Sequence, residues 1–128
     1  PTLKIYGYEY NGYWNSVGAG TAAYFAANMD FLNKEVRDHF VSEYPYIATK
    51  PKDEPPAKFN RGADVKDTIT GSGSIFDGKM EHCVVFRKVR VGAGAVVKNF
   101  TLENSYINST CCVACHGNYI KTCTIEFK

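Results

Sequence analysis

The sequence predicts a mainly β chain: a parallel β-helix of hexapeptide-like repeats over residues 63–128, preceded by a strand, a helix and a proline-rich strap. Three observations carry this. From residue 63 onward, aliphatic or aromatic positions return mostly every five or six residues: Val65, Ile69, Ile75, Met80, Val85, Val91, Val97, Leu102, Ile107, Val113, Ile120 and Ile125. Between them lie small or polar runs such as Gly71-Ser72-Gly73-Ser74, Gly92-Ala93-Gly94-Ala95 and Asn108-Ser109-Thr110. Ahead of them, residues 45–60 hold four of the five prolines. A six-residue step advances an α-helix by about 240°, so no helix keeps this pattern on one face. A sandwich needs turn signals about every 8–12 residues. A coil of short flat faces, each turning after about six residues, accounts for the period. Its inward residues stack coil on coil, with glycine or asparagine at the corners. Twelve such positions make about four coils of three faces.

The elements follow in order. Residues 1–20 alternate in part, from Leu3 and Ile5 to Tyr6, Tyr8, Tyr10, Tyr13 and Trp14, which predicts a strand and a turn with Gly12, Gly18 and Gly20. Residues 21–41 change period: Tyr24, Ala27 and Phe31, widened by Phe25, Met29 and Leu32, predict a helix capped by Thr21 and continuing through Val36 and Phe40. It stops before Pro45, because the residue ahead of a proline avoids the helical region. The strap of residues 45–60 reads as an extended connector packed along its neighbours through Tyr46, Ile47 and Phe59. The chain divides at 1–44, 45–62 and 63–128. It opens at Pro1, directly on Leu3-Lys4-Ile5-Tyr6, which is expected of a cut inside a longer protein.

Composition excludes several classes. With 45% hydrophobic and 22% charged residues, the chain can bury a core and is ordinary for a soluble protein. A net charge of +2, scattered along the chain, gives no footprint for nucleic acid or an anionic membrane. No apolar run approaches the roughly 20 residues of a membrane span. The five cysteines, at 83, 111, 112, 115 and 123, are odd in number and crowded toward one end. That reads as reduced thiols in the cytoplasm, not a disulfide framework. Cys111, Cys112 and Cys115, with His116 or Cys123 as a fourth ligand, have zinc-like spacing. No second CxxC pair accompanies them, and small buried thiols suit a tight core. Core packing is the preferred reading, with no metal site.

Several motifs then fall in a familiar order. They are Tyr13-Trp14-Asn15-Ser16-Val17-Gly18, Ala27-Asn28-Met29-Asp30, the strap Asp53-Glu54-Pro55-Pro56-Ala57-Lys58-Phe59, and the coil segments Val84-Val85-Phe86-Arg87-Lys88-Val89-Arg90-Val91-Gly92 and Gly94-Ala95-Val96-Val97-Lys98-Asn99. In that order they resemble the tail of the glucose-1-phosphate adenylyltransferases (ADP-glucose pyrophosphorylases). The resemblance implies a left-handed coil, a hand that spacing does not give, since parallel crossovers are normally right-handed. It implies that residues 1–44 are the end of a truncated nucleotidyltransferase domain and that the coil is truncated at its C-terminal end. ATP and glucose-1-phosphate would then be bound only by the missing domain, where the family uses Mg²⁺. Nothing here resembles a phosphate-binding glycine loop; Gly18-Ala19-Gly20-Thr21 is read as a tight turn.

The resemblance also implies site residues. Tyr13, Trp14 and Ser16 are candidates to lie beside the sugar phosphate. Catalytic members carry an aspartate two residues after the tryptophan, where this chain has the neutral Ser16, and a hard cation needs anionic oxygens. That departure implies the regulatory, catalytically weak subunit type. Arg87, Lys88, Arg90 and Lys98 are candidates for an effector or subunit contact. No catalytic residue and no cofactor are assigned within this chain. The expected partners are a second copy or a catalytic subunit of the same family, with no nucleic acid and no membrane. Two alternatives stand beside this. Hexapeptide acyltransferases place a histidine between coils as general base, for which His82 and His116 are the candidates. A coil can also be a non-enzymatic assembly module.

Overall fold

In the computed structural model, the residues described are 3–43, 48–50, 52–102, 105–107 and, as backbone, 112–114. Two parallel ladders dominate. One joins four two-residue strands, β1 (Lys58–Phe59), β3 (Ile75–Phe76), β5 (Arg90–Val91) and β7 (Tyr106–Ile107). The other joins β2 (Asp64–Thr70), β4 (Lys79–Val85), β6 (Val96–Leu102) and β8 (Cys112–Ala114). Each strand pairs with the next strand but one in sequence, so the described residues wind as the solenoid the period predicts, over about three turns where about four coils were expected.

The corners explain how two ladders make three faces. Asp67, His82 and Asn99 stand in the middle of the seven-residue strands, each with positive φ, and each is skipped by the pairing. The strand therefore bends there into two three-residue faces. Among residues with a side chain, aspartate, histidine and asparagine tolerate the left-handed region best. Equivalent residues, such as Lys58, Ile75, Arg90 and Tyr106, recur every 15 to 17 positions. This is tighter than three full hexapeptides because the corners are of unequal length.

The core is the stack expected, with two corrections. Met80, Val85, Val91, Val97, Leu102 and Ile107 are buried inward positions. Ile75 is not one: it shares its register with the exposed Arg90 and Tyr106, and Phe76, aligned with Val91 and Ile107, takes the interior. Ile69 likewise aligns with Val84, while Cys83 and Val85 on either side enter the core cluster. A period cannot choose between adjacent apolar residues; the pleat does. Val113 pairs with Val97 along the backbone, and Ile120 and Ile125 lie outside the described residues. Ser74, fully buried, is satisfied: its hydroxyl donates to the Phe86 carbonyl and accepts from Val89 N–H, both at 3.2 Å.

Outside the coil the sequence reading needs more correction. Residues 3–16 form no strand, and Leu3, Ile5, Tyr6 and Tyr8 are all more than four-fifths exposed. A strand needs a neighbour to take its N–H and C=O groups, and no strand among the described residues pairs with it. After a 3-10 turn at Val17–Ala19, the single helix expected over residues 21–41 is two helices, α1 (Thr21–Asp30) and α2 (Lys34–Val41). Gly20, not Thr21, is the N-cap of α1. Asn33 causes the break: its side chain accepts from Glu35 N–H at 3.0 Å and caps α2. The Arg37 guanidinium donates to the Phe31 and Leu32 carbonyls at 2.9 and 2.6 Å, satisfying groups released there. α1 lies against β4 and β6. On β4, Val84 alternates with the inward residues yet is only 6% exposed.

The strap joins the coil earlier than residue 63. Lys58 N–H donates to Ser74 O at 2.8 Å and Asn60 N–H to Phe76 O at 2.9 Å. Phe59 stacks on Phe76 with centroids 5.1 Å apart. Tyr46 and Ile47 lie outside the described residues.

Candidate functional site

The polar cluster nearest the family motifs is built where the segment of residues 10–15 meets the helices. Asp30 ends α1 and turns its carboxylate to that segment. Its Oδ2 accepts from the Tyr13 hydroxyl at 2.7 Å and from Asn15 Nδ2 at 3.1 Å, and Asn15 Nδ2 also reaches the Tyr13 oxygen at 3.1 Å. The Tyr13 ring meets Phe40 of α2 edge-on at 5.6 Å, and Phe40 packs against Phe31 at 5.1 Å. The Tyr13 phenol is held above its ordinary range. Asn15's hydrogen bond, the largest single influence, lowers it, but burial and the Asp30 carboxylate together raise it. Beside this cluster, Tyr10 Oη lies 2.7 Å from His39 Nε2, and His39 Nδ1 lies 2.7 Å from Glu43 Oε2.

Of the residues singled out beforehand, Tyr13 is thus half-buried in a network. Trp14 is 78% exposed, and Ser16 is exposed at the N-cap of the 3-10 turn without a capping bond from its side chain. Asn15 and Asp30 were not among those candidates, although Asp30 closes the Ala27-Asn28-Met29-Asp30 motif. A magnesium ion is held by oxygen ligands, usually one or two carboxylates with substrate phosphates and waters. The Asp30 Oδ2 already accepts two hydrogen bonds, and no group of three acidic, histidine or cysteine side chains among the described residues could hold a metal. No catalytic step is assigned to the junction.

The basic candidates stand on different faces. Arg90 belongs to β5, its guanidinium 5.9 Å from the Tyr106 ring centroid. Lys98 belongs to β6 and pairs with Glu81 at 2.5 Å across the ladder. Each partner strengthens the other's charge: Lys98 titrates above its ordinary range and Glu81 below, through their hydrogen bond and then their opposite charges. Lys88 sits at a corner with φ 56 and approaches Glu54 of the strap at 3.5 Å, beside the partly buried Arg87. His82 Nδ1 lies 2.5 Å from Asp67 Oδ2 along an exposed corner. Cys83 is wholly buried in the core. The side chains of Cys111, Cys112, Cys115, His116 and Cys123 lie outside the described residues. No helix among the described residues is long and apolar enough to cross a membrane.

Fold and junction together define a parallel β-solenoid flanked by a short helical unit, the two joined by a proline-rich strap. No family model matches the chain. Among curated proteins it is similar to the glycogen biosynthesis protein GlgD of Bacillus subtilis, 35% identical over 97 residues, which is 75% of this chain and 28% of that protein. It is 38% identical over 98 residues to the glucose-1-phosphate adenylyltransferase of Clostridium perfringens, covering 75% of this chain and 24% of the enzyme. GlgD of Geobacillus stearothermophilus is 40% identical over 72 residues, 56% of this chain and 21% of that protein. The chain therefore spans about a quarter of the length of the curated relatives it matches, and homologues named glucose-1-phosphate adenylyltransferase and GlgD cover 75% of it.

Proposed function

We propose that this chain is the C-terminal region of a glucose-1-phosphate adenylyltransferase-related protein of glycogen biosynthesis, serving subunit assembly and regulation and not catalytic alone. The observation that carries the reading is the similarity, over three quarters of the chain, to proteins named for that enzyme and to GlgD alike. In this reading the coil is left-handed, the protein is cytoplasmic, and residues 1–44 close a nucleotidyltransferase domain that binds ATP, glucose-1-phosphate and Mg²⁺. Tyr13, Trp14 and Ser16 border its sugar-phosphate pocket. The neutral Ser16 supports the regulatory subunit type, since a hydroxyl brings no charge to a metal or a phosphate-binding lysine. Arg87, Lys88, Arg90 and Lys98 contribute to an effector or subunit contact, with a second copy or a catalytic subunit as partner.

The test has two arms. Purified residues 1–128 are assayed for ADP-glucose from ATP and glucose-1-phosphate; only background is expected, because phosphoryl chemistry needs positioned phosphates and metal. Turnover retained through repurification overturns the reading. In the second arm, the chain is sedimented at several concentrations, alone and with a catalytic glucose-1-phosphate adenylyltransferase. Association in either mixture supports the assembly role, and monomers throughout reject it.

A further inference from the structure

Of the four described residues with side chains that adopt positive φ, Asp67, His82 and Asn99 are of the types that tolerate it, and Lys88 is the exception. The same corner one coil earlier is Gly73, with φ 71, where no side chain is strained. Lysine at such a corner costs stability that glycine would not, and a strained residue kept in place points to a use for its side chain.

That use lies in the strap. Lys88 Nζ is 3.5 Å from Glu54 Oε1, and the Ser72 hydroxyl is 3.4 Å from Glu54 Oε2. The Glu54 side chain is only 14% exposed, so its charge is largely withdrawn from water and is costly to leave unpaired. The next residue extends the attachment through its backbone: Gly73 N–H donates to the Pro55 carbonyl at 2.6 Å. The corner is itself closed by Lys88 N–H donating to Ser72 O at 3.2 Å.

We propose that Lys88 is a clasp, held in a strained corner so that its ammonium fastens Glu54 and keeps the proline strap seated on the coil. The strap is the covalent link between the helical unit and the solenoid, so the clasp governs how firmly the two are coupled. Opening it frees residues 52–57 without unwinding the coil.

The corner supplies its own reporters for hydrogen exchange on the full chain. The Gly73 amide is bonded to the strap, whereas the Ile75 amide is bonded to Val89 O inside the coil at 2.8 Å. Glu54→Gln and Lys88→Met should each accelerate Gly73 exchange by about two- to fivefold, as expected for one partly screened ion pair, and leave Ile75 unchanged. Lys88→Gly should show the same Gly73 acceleration while melting at or above the wild-type temperature, because the strain is relieved. The charge swap of Glu54→Lys with Lys88→Glu should recover part of the protection. Unchanged Gly73 exchange in both single variants overturns the proposal. So does acceleration of Gly73 and Ile75 together, which would make the pair a general stabiliser of the coil.

Discussion

The Tyr13 hydroxyl donates a 2.7 Å hydrogen bond to Oδ2 of Asp30, joining the Tyr13-Trp14 segment to the end of the first helix. Both residues are half-buried, so neither group is fully repaid by water when its partner is removed. Tyr13→Phe should lower stability by about 1–2 kcal/mol, and Asp30→Ala by at least as much, since it removes the Asn15 bond to that carboxylate as well. The phenol's raised pKa gives a second readout. Its stabilising contribution is complete below the ordinary tyrosine range near 10 and is lost as pH rises through the folded value. Chemical denaturation of both variants, and of wild type across alkaline pH, checks this.

Gly78 is buried where the second coil lies against the third. A Cβ added there would fall 2.6 Å from the carbonyl oxygens of both Ala95 and Gly92. Backbone atoms cannot swing aside as a side chain can, so Gly78→Ala should destabilise by about 1–3 kcal/mol or more. Gly7→Ala, with nothing within 4 Å of the added carbon, is the control and should melt like wild type.

Val97 and Lys98 are neighbours in sequence on opposite sides of one face. Val97 is wholly buried, and Val97→Asp puts a carboxylate among apolar side chains at a cost of several kcal/mol, roughly enough to unfold a small domain. Lys98→Gln changes only a solvent-facing pair and should leave the melting temperature almost unmoved. Equal losses in the two variants would contradict the inward register.

The Lys98–Glu81 pair should still be visible by titration. Glu81 is held below its ordinary value of 4.5 by Lys98's hydrogen bond and charge. Its contribution is therefore present above that value and lost as pH falls through the folded one. In Lys98→Gln the Glu81 carboxyl should titrate higher, as followed by NMR of its side-chain carbon.

Cys83 is fully buried, and burial pushes its thiol above the ordinary value of 9.0. The thiolate is the reactive form. Maleimide labelling at Cys83 should then be slow in the native protein and rapid in denaturant, with mass mapping to separate it from the other four cysteines. Fast native labelling at Cys83 would show that the coil opens readily there.

The sequence by itself determined the coil. Its five- to six-residue return of apolar positions is a local, repeated property, and a repeated unit satisfies itself by stacking on its own copies. That Asp67, His82 and Asn99 form one corner emerged only from the pairing, since sequence reading assigns corners to glycine or asparagine in general. The tertiary structure decided what depends on a partner remote in sequence. Phe76 rather than Ile75 faces inward because the paired strands align it with Val91 and Ile107. The alternating segment of residues 3–10 is no strand, since a strand exists only with a neighbour to bond. One amphipathic stretch became two helices, because Asn33 and Arg37 supply the bonds that a continuous helix would have made. The junction pair Tyr13–Asp30 and the clasp Glu54–Lys88 were likewise invisible to periodicity. Each residue alone is an ordinary surface type, and only the winding of the chain brings donor to acceptor.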